Sequence, residues 1–498
     1  MLYPVPIQAR ASVCGGHGRM TTTESGTGLH GEDIADPTGA HALQSGDHAF
    51  FGHPKGLGYL AGTELWERFS FYSMQSLLML YMTKYLLLPE NSGKVAGLGT
   101  YRTVLEAIFG PMTDLALAAQ TFGLYSGLIL VTPLAGAYLG DRVLGRTKTV
   151  TMGALLMSAG HLTMASEQAF LLALALLIAG GGLFISNLVS QIGGLYAPED
   201  TRRTRAFGIY LMALNVGALA APLIAGTLGE KVGWHWGFGA AGIGMLCGLA
   251  TYLAGRRHFP PDLIARGEKS APLTRGQWTS VGAIVLLLVP KIFFFAAAQQ
   301  AYGIMVVWAD TAVDRTVGGW ELPVTWVLTA DGILTIVGVI FANWAWTRLA
   351  ARGREPSDIR KVGIANVMVA ASFVGIALLS TLAKVPMIGW LAFYLVLDFS
   401  YAWNDPPSKA LIARYAPRSV NGTMFAISSL SGALGFFLLG YLGRFYEPLG
   451  APAYFLLTAT LPVAGAIMLI AFAKPLERLL AAGDGDGVHA FKAEPLPA

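Results

Sequence analysis

Residues 62–81 read GTELWERFSFYSMQSLLMLY. As a helix, twenty residues reach roughly 30 Å, enough to cross a bilayer. Glu64, Glu67 and Arg68 interrupt this otherwise weakly polar run. Their i, i+3, i+4 spacing puts all three on one helix face. A charge at the bilayer centre costs about 2.5–3.5 kcal/mol, so such groups face a polar cavity and pair. A purely structural ion pair needs one acid beside Arg68. Two acids leave a carboxylate in excess, and that surplus marks the cluster as proton-binding.

The rest of the chain fits the membrane reading. It has 498 residues, 54% of them apolar and 13% charged, against about 25% charged in soluble domains. A polytopic membrane protein in a lipid bilayer is expected. A net charge of +4 is too small to imply a nucleic-acid partner. Cys14 and Cys247 build neither a disulfide framework nor a metal site.

Apolar windows fall near 57–88, 115–140, 148–166, 168–196, 204–228, 235–255, 279–309, 323–350, 361–383, 386–414, 419–443 and 452–473. In lipid each must satisfy its backbone internally, so about twelve transmembrane helices follow. Connections after even-numbered spans are basic: Arg142, Arg146 and Lys148; Arg202, Arg203 and Arg205; Arg256, Arg257, Arg266 and Lys269; Arg348, Arg352, Arg354, Arg360 and Lys361. The opposite loops carry acids such as Glu230, Asp310, Asp314 and Glu321. The positive-inside rule places both termini in the cytoplasm.

The expected organisation is a cytoplasmic tail, 1–54, without a signal-peptide core, then a six-helix bundle, 55–256. A linker, 257–276, leads to a second six-helix bundle, 277–478, and a tail, 479–498. Met20, followed by TTTESG, is an alternative start to Met1. Two six-helix halves are the plan of an all-α major-facilitator fold, with a pocket at the midplane between them.

Three motifs in order carry a family resemblance. The segment from Glu64 to Tyr72, ELWERFSFY, resembles the first-helix ExxERF signature of the proton-dependent oligopeptide transporters, POT or PTR. GAYLGDRVLGRTKTV, 136–150, resembles that family's loop after the second span. FGIYLMALNVGAL, 207–219, resembles its fifth-helix signature, with Asn215 at the polar position. The resemblance runs from about residue 56 to 475. It implies that Glu64, Glu67 and Arg68 couple protons to transport. Asp141, Arg142 and Arg146 then form a gating charge network at the cytoplasmic face.

The departures from the family are paired. Its first-helix Arg falls on Gln75 and its seventh-helix Glu on Gln299; its fourth-helix Lys falls on Ile185 and its tenth-helix Glu on Tyr401. One Tyr becomes Phe71, the second-span Tyr falls on Leu130, and an eighth-helix Asn falls on Asp331. Losing one partner of a buried ion pair costs about 3–5 kcal/mol, whereas replacing both is nearly neutral. The pattern is that of a working pocket retuned to a less charged ligand.

The pocket residues expected are Tyr72, Gln75, Asn187, Asn215, Gln299, Asp331 and Tyr401. Asp331 reads equally as a helix-end acid, and Asp398 is a further acid near the usual Glu position. Tyr302, Trp308 and Trp403 line the cavity or simply pack. His161 and His235 read as structural. No nucleotide loop, nucleophile elbow or metal-ligand cluster appears, which argues against a pump or an enzyme. The expected protein is a monomeric inner-membrane symporter with no cofactor beyond the proton gradient, carrying small peptides or peptide-like solutes. A carrier of weakly charged non-peptide or modified-peptide solutes with altered proton coupling, and a non-transporting membrane sensor, are the alternatives.

Overall fold

Each apolar window becomes a long helix. In a computed structural model, which describes residues 47–197, 200–262, 273–417 and 420–481, twelve long helices follow one another. They are α1 Lys55–Tyr81, α2 Asp114–Val131, α3 Arg146–Thr163, α4 Phe170–Gly194, α5 Arg202–Ala221, α6 Trp234–Gly255, α7 Arg275–Ala298, α8 Trp326–Ala350, α9 Asp358–Leu379, α10 Met387–Tyr415, α11 Asn421–Leu442 and α12 Tyr446–Ala481. Most of the expected N-terminal tail, the middle of the linker with Arg266 and Lys269, and the end of the C-terminal tail lie outside the described residues, as do Met1, Cys14 and Met20.

Eight stretches are long and apolar enough to cross a membrane by length and composition, and the last, Thr423–Leu480, holds both α11 and α12. Helices α1, α3 and α10 fall below that apolarity. They carry Glu64, Glu67 and Arg68; Arg146 and Lys148; and Asp398, Asp405 and Lys409 respectively. Large apolar side chains such as Leu155, Ile243, Ile340, Ile467 and Ile470 point outward, as lipid-facing residues do.

Local chemistry sets the helix ends. The Thr113 side chain accepts a hydrogen bond from the Ala116 amide at the start of α2, and Thr274 with Gln277 forms a reciprocal capping box at the start of α7. Helix α2 continues through Pro133–Leu139 into a wider turn, Gly140–Leu144. Helix α7 breaks at Gln299–Tyr302 and resumes as Ile304–Ala312. One further helix, Leu98–Phe109, lies between α1 and α2, where no span was expected. Two-residue strands pair Thr316–Val317 with Trp320–Glu321, and Val313–Asp314 with Val385–Pro386.

Helices α1–α6 pack as one bundle: α3 on α4, and α1 between α5 and α6. Helices α7–α12 form the second, with α9 on α10 and α12, and α8 on α10. The halves meet mainly through α2 on α11, with α5 on α8 a smaller contact. Small residues allow the α2–α11 approach. A Cβ on Gly123 would lie 2.5 Å from the Phe436 carbonyl oxygen, and one on Gly443 only 2.3 Å from the Ala119 Cβ.

The near end is where the chain enters α1 and leaves α12. The hydrogen bonds and ion pairs between halves, among the described residues, lie toward the opposite, far end. At that end the Glu230 carboxylate accepts from the amides of Val324 and Thr325, both at 2.9 Å, and from the Thr325 hydroxyl at 2.7 Å. An anion at the first turn of α8 is favoured by the unsatisfied amides and the helix dipole. Trp326 Nε1 donates to Thr227 (2.8 Å), Lys84 Nζ lies 2.5 Å from Asp310, and the Arg444 guanidinium donates to the Phe109 carbonyl. The far end is thus latched shut.

Candidate functional site

The charged face of α1 is buried at the centre of the first bundle. Glu64 and Glu67 are 2% and 0% exposed, far below what unpaired carboxylates tolerate. Arg68 Nε lies 3.2 Å from Glu64 Oε1 and also donates to Glu67 Oε2. Tyr210, on α5, hydrogen-bonds Glu64. That contact depends on Gly217, where a Cβ would sit 2.2 Å from the Leu65 carbonyl and force α5 away from α1. The guanidinium also stands over the Phe71 ring, 5.0 Å from its centroid.

The triad is not saturated. Glu67 Oε1 and Arg68 Nη2 are buried and have no hydrogen-bond partner among the described residues. One spare acceptor and one spare donor stand beside a single cation, an arrangement in which a proton on either acid would weaken its hold on Arg68. One turn further along α1, Tyr72 lies within electrostatic reach of Arg68 on one side and of Asp331 on the other.

The buried polar group of the second bundle has a different character. The Tyr302 hydroxyl, at the break in α7, donates to Asp331 Oδ2 at 2.7 Å. Asp331 in turn touches the Asp398 carboxyl of α10. Thr335, one turn beyond Asp331 on α8, donates to Asp398 Oδ1 at 3.0 Å. Asp331 is buried, as is Asp398, and it lies inside α8 rather than at the end of that helix. Tyr401 packs edge-on against Phe294, with centroids 5.3 Å apart.

Other expected site residues are placed differently. Gln75 is buried and accepts from Ser126 at 3.4 Å, a contact within the first bundle. Gln299 stands at the break in α7. The Asn187 amide donates to the carbonyls of Gly136 and Leu183, both at 2.9 Å, and so ties α4 to the extension of α2. Asn215 donates to its own helix at Leu211, 2.8 Å away. Arg146 pairs with Asp141 at 2.8 Å and Arg142 leans over Tyr138, both within the first half. They do not bridge the halves here because the cross-half contacts sit at the far end.

Trp308 packs on Phe455, and Trp403 on Trp346. His161 Nε2 lies 2.6 Å from Ser70 Oγ, a buried helix-to-helix contact. Two features escaped the sequence reading. One is the Glu230 latch, whose only signal was an acid in an otherwise unremarked far-side loop. The other is the charge pair of Lys84 and Asp310, which stands on the same two spans as Gln75 and Gln299 but several turns further out. A cavity of about 460 Å³ lined by Glu355, Asp358, Lys361, Arg414 and Glu477 lies within the second bundle near its near end and shares none of the pocket residues. Among the described residues no group of His, Cys, Asp or Glu is arranged to hold a metal.

Comparison with known proteins agrees with this architecture. The family described as Major Facilitator Superfamily matches residues 69–440. An uncharacterized transporter of Bacillus subtilis, YclF, is 27% identical over 82% of this chain and 91% of its own length. The peptide transporter YePEPT of Yersinia enterocolitica is 26% identical over 80% of this chain and 89% of its own. A crystal structure of a peptide transporter POT in complex with sulfate superposes with a TM-score of 0.77 at 27% identity, covering 89% of this chain and 99% of that one. The chain belongs to the major facilitator superfamily, and within it its motifs and fold are those of the POT peptide transporters.

Proposed function

We propose that the protein is a proton-coupled symporter that imports small peptides or peptide-like solutes by alternating access. The observation that supports this best is the buried triad of Glu64, Glu67 and Arg68, two carboxylates competing for one guanidinium at the centre of a helix-lined half. Protonation of Glu67 or Glu64 releases Arg68 from one partner. Helix α1 then shifts against α5, whose contact at Gly217 has no side chain to lock it. The far-end latches are the elements that must open in the alternate state. Both termini lie in the cytoplasm of an inner-membrane protein, in keeping with the basic near-end loops, and a monomer suffices for the cycle.

The pocket favours a weakly charged member of the substrate class. Gln75 and Ile185 stand where the family resemblance places cations, so the carboxylate of an unmodified peptide has no partner there. Leaving it desolvated costs several kcal/mol, and each 1.4 kcal/mol is tenfold in affinity. Peptides with a blocked carboxylate, or other amide-bearing solutes, suit Gln75, Gln299, Tyr72 and Tyr401 as hydrogen-bonding groups.

The test is counterflow in proteoliposomes, using the best ligands from a thermal-shift screen of plain and carboxylate-blocked dipeptides. The proposal expects exchange of the blocked compounds, stimulated by an inward proton gradient. A ligand that binds yet never exchanges would make the protein a sensor.

A further inference from the structure

The second bundle buries two acids in contact with each other and gives them no cation. Asp331 on α8 and Asp398 on α10 are 7% and 0% exposed, and their carboxyls are hydrogen-bond neighbours. The groups that face them are the Tyr302 hydroxyl from α7, Thr335 from α8, Tyr394 and Tyr401 from α10, and Tyr72 from α1. All are neutral hydroxyls; Tyr302 and Thr335 donate to the carboxyls, while the Tyr394 hydroxyl donates to the Ala301 carbonyl. Among the described residues no lysine, arginine or histidine acts electrostatically on either carboxyl. Asp405, further along α10, acts electrostatically on Tyr401 and is itself paired with Lys409 at 2.7 Å.

Two ionised carboxylates in contact cannot hydrogen-bond each other, since both are acceptors only. Sharing one proton removes a charge and supplies the missing donor, as in other paired carboxylates. The unsatisfied atom agrees with this. Asp398 Oδ1 has its donor in Thr335, and Asp331 Oδ2 has one in Tyr302, but Asp398 Oδ2 is buried with no donor among the described residues. A proton between the carboxyls satisfies it.

We propose that Asp331 and Asp398 form a second proton site, holding one proton between them, in the opposite half from the Glu64–Glu67–Arg68 triad. Its position suits coupling. Helix α8 carries Asp331 about two turns beyond Val324 and Thr325, the residues leading into it that the Glu230 carboxylate latches to the first half. Thr329 also donates to the Leu219 carbonyl of α5 at 3.0 Å. Charging the pair therefore strains the helix that closes the far end, and Tyr72 reports the state of one site to the other. The transport consequence rests on the symport reading above: with two proton sites, accumulation depends on the second power of the proton gradient and falls to the first power when this site is removed.

The site itself can be tested without transport. Infrared difference spectra of the purified full chain in nanodiscs, titrated from mildly acidic to alkaline pH, report protonated carboxyls directly. The proposal expects a protonated-carboxyl band that disappears in both Asp331→Asn and Asp398→Asn but persists in Glu67→Gln. Asp398→Asn supplies an amide donor in place of the shared proton, so it should fold. Its unfolding temperature should stay flat at alkaline pH, where that of the wild type falls as the pair loses its proton. If neither Asn variant alters the band, or Glu67→Gln alone removes it, the shared proton is not there. An alkaline stability loss identical in wild type and Asp398→Asn likewise overturns the proposal. A normal band in a protein that never exchanges solute would retain this site and reject symport, so the two ideas fail separately.

Discussion

The two halves each bury a pair of carboxylates, Glu64 with Glu67 and Asp331 with Asp398, but only the first pair has a cation. Arg68 binds both first-half acids, whereas the second-half acids have hydroxyl donors and each other. On the proposed reading the first site trades a proton against an ion pair, so protonation would free a guanidinium that can move or re-pair. The second trades a proton against carboxylate repulsion, so protonation holds two helices together. The same residue chemistry would thus serve as a release switch in one half and, in the proposal above, as a clasp in the other. The family's second-half charges are absent from Gln299 and Tyr401, and the buried acids here are Asp398, three residues before Tyr401 on α10, and Asp331 on the neighbouring α8.

The sharpest way to break the comparison is to make the first site resemble the second. Arg68→Ala removes the cation that pairs with both buried acids, and breaking such a pair costs about 3–5 kcal/mol. Thermal unfolding of the purified variant should show a large loss at neutral pH, reduced by mildly acidic buffer. Adding Glu64→Gln and Glu67→Gln should restore most of the stability. A stable Arg68→Ala protein would show that the triad is not paired as described.

The converse change brings a cation to the second side of the pocket. By the family resemblance Ile185 stands opposite Tyr401, whose electrostatic neighbours are Asp331 and Asp398. A lysine in Ile185→Lys should be claimed by that acid pair and help a peptide carboxylate little. Combined with Tyr401→Glu, which offers it a nearer partner, it should improve alanyl-dipeptide binding by about tenfold, or 1.4 kcal/mol, beyond the sum of the single changes. Binding titrations of wild type, both singles and the double variant form the cycle. Strict additivity would contradict the pocket geometry.

An exposed pair supplies the smallest contrast. Lys84 is about half exposed in its contact with Asp310, and exposed ion pairs are worth roughly 0–1 kcal/mol and weaken in salt. Lys84→Ala should shift unfolding by no more than that, with the difference vanishing at high salt. A larger, salt-independent loss would make this pair, rather than Glu230, the main latch of the far end.

Much of this was legible in the chain. Apolar windows and basic loops marked the helices, because lipid leaves few other solutions for a backbone. The triad was legible because its three charges share one face of one helix. The acid pair was not, since Asp331 and Asp398 lie on different helices and only packing brings them together. The break in α7 at Gln299–Tyr302 leaves no strong local signal, as its residues read equally well in a continuous helix. Helix Leu98–Phe109 was missed because it is short and only partly apolar, too brief to register as a span. Asn187 and Asn215 read as pocket residues by motif, while their amides here bond backbone carbonyls. Side-chain type alone does not reveal which way an amide is spent on packing.

The central claim is that the first-half triad links a proton to solute movement. Its most direct measurement compares proton-driven accumulation with counterflow in proteoliposomes containing wild type, Glu64→Gln or Glu67→Gln. The account predicts that Glu67→Gln loses accumulation against a gradient while keeping solute exchange, because binding and the helix rearrangement survive without the titrating acid. Undiminished proton-driven accumulation in both variants would remove the triad from the coupling mechanism.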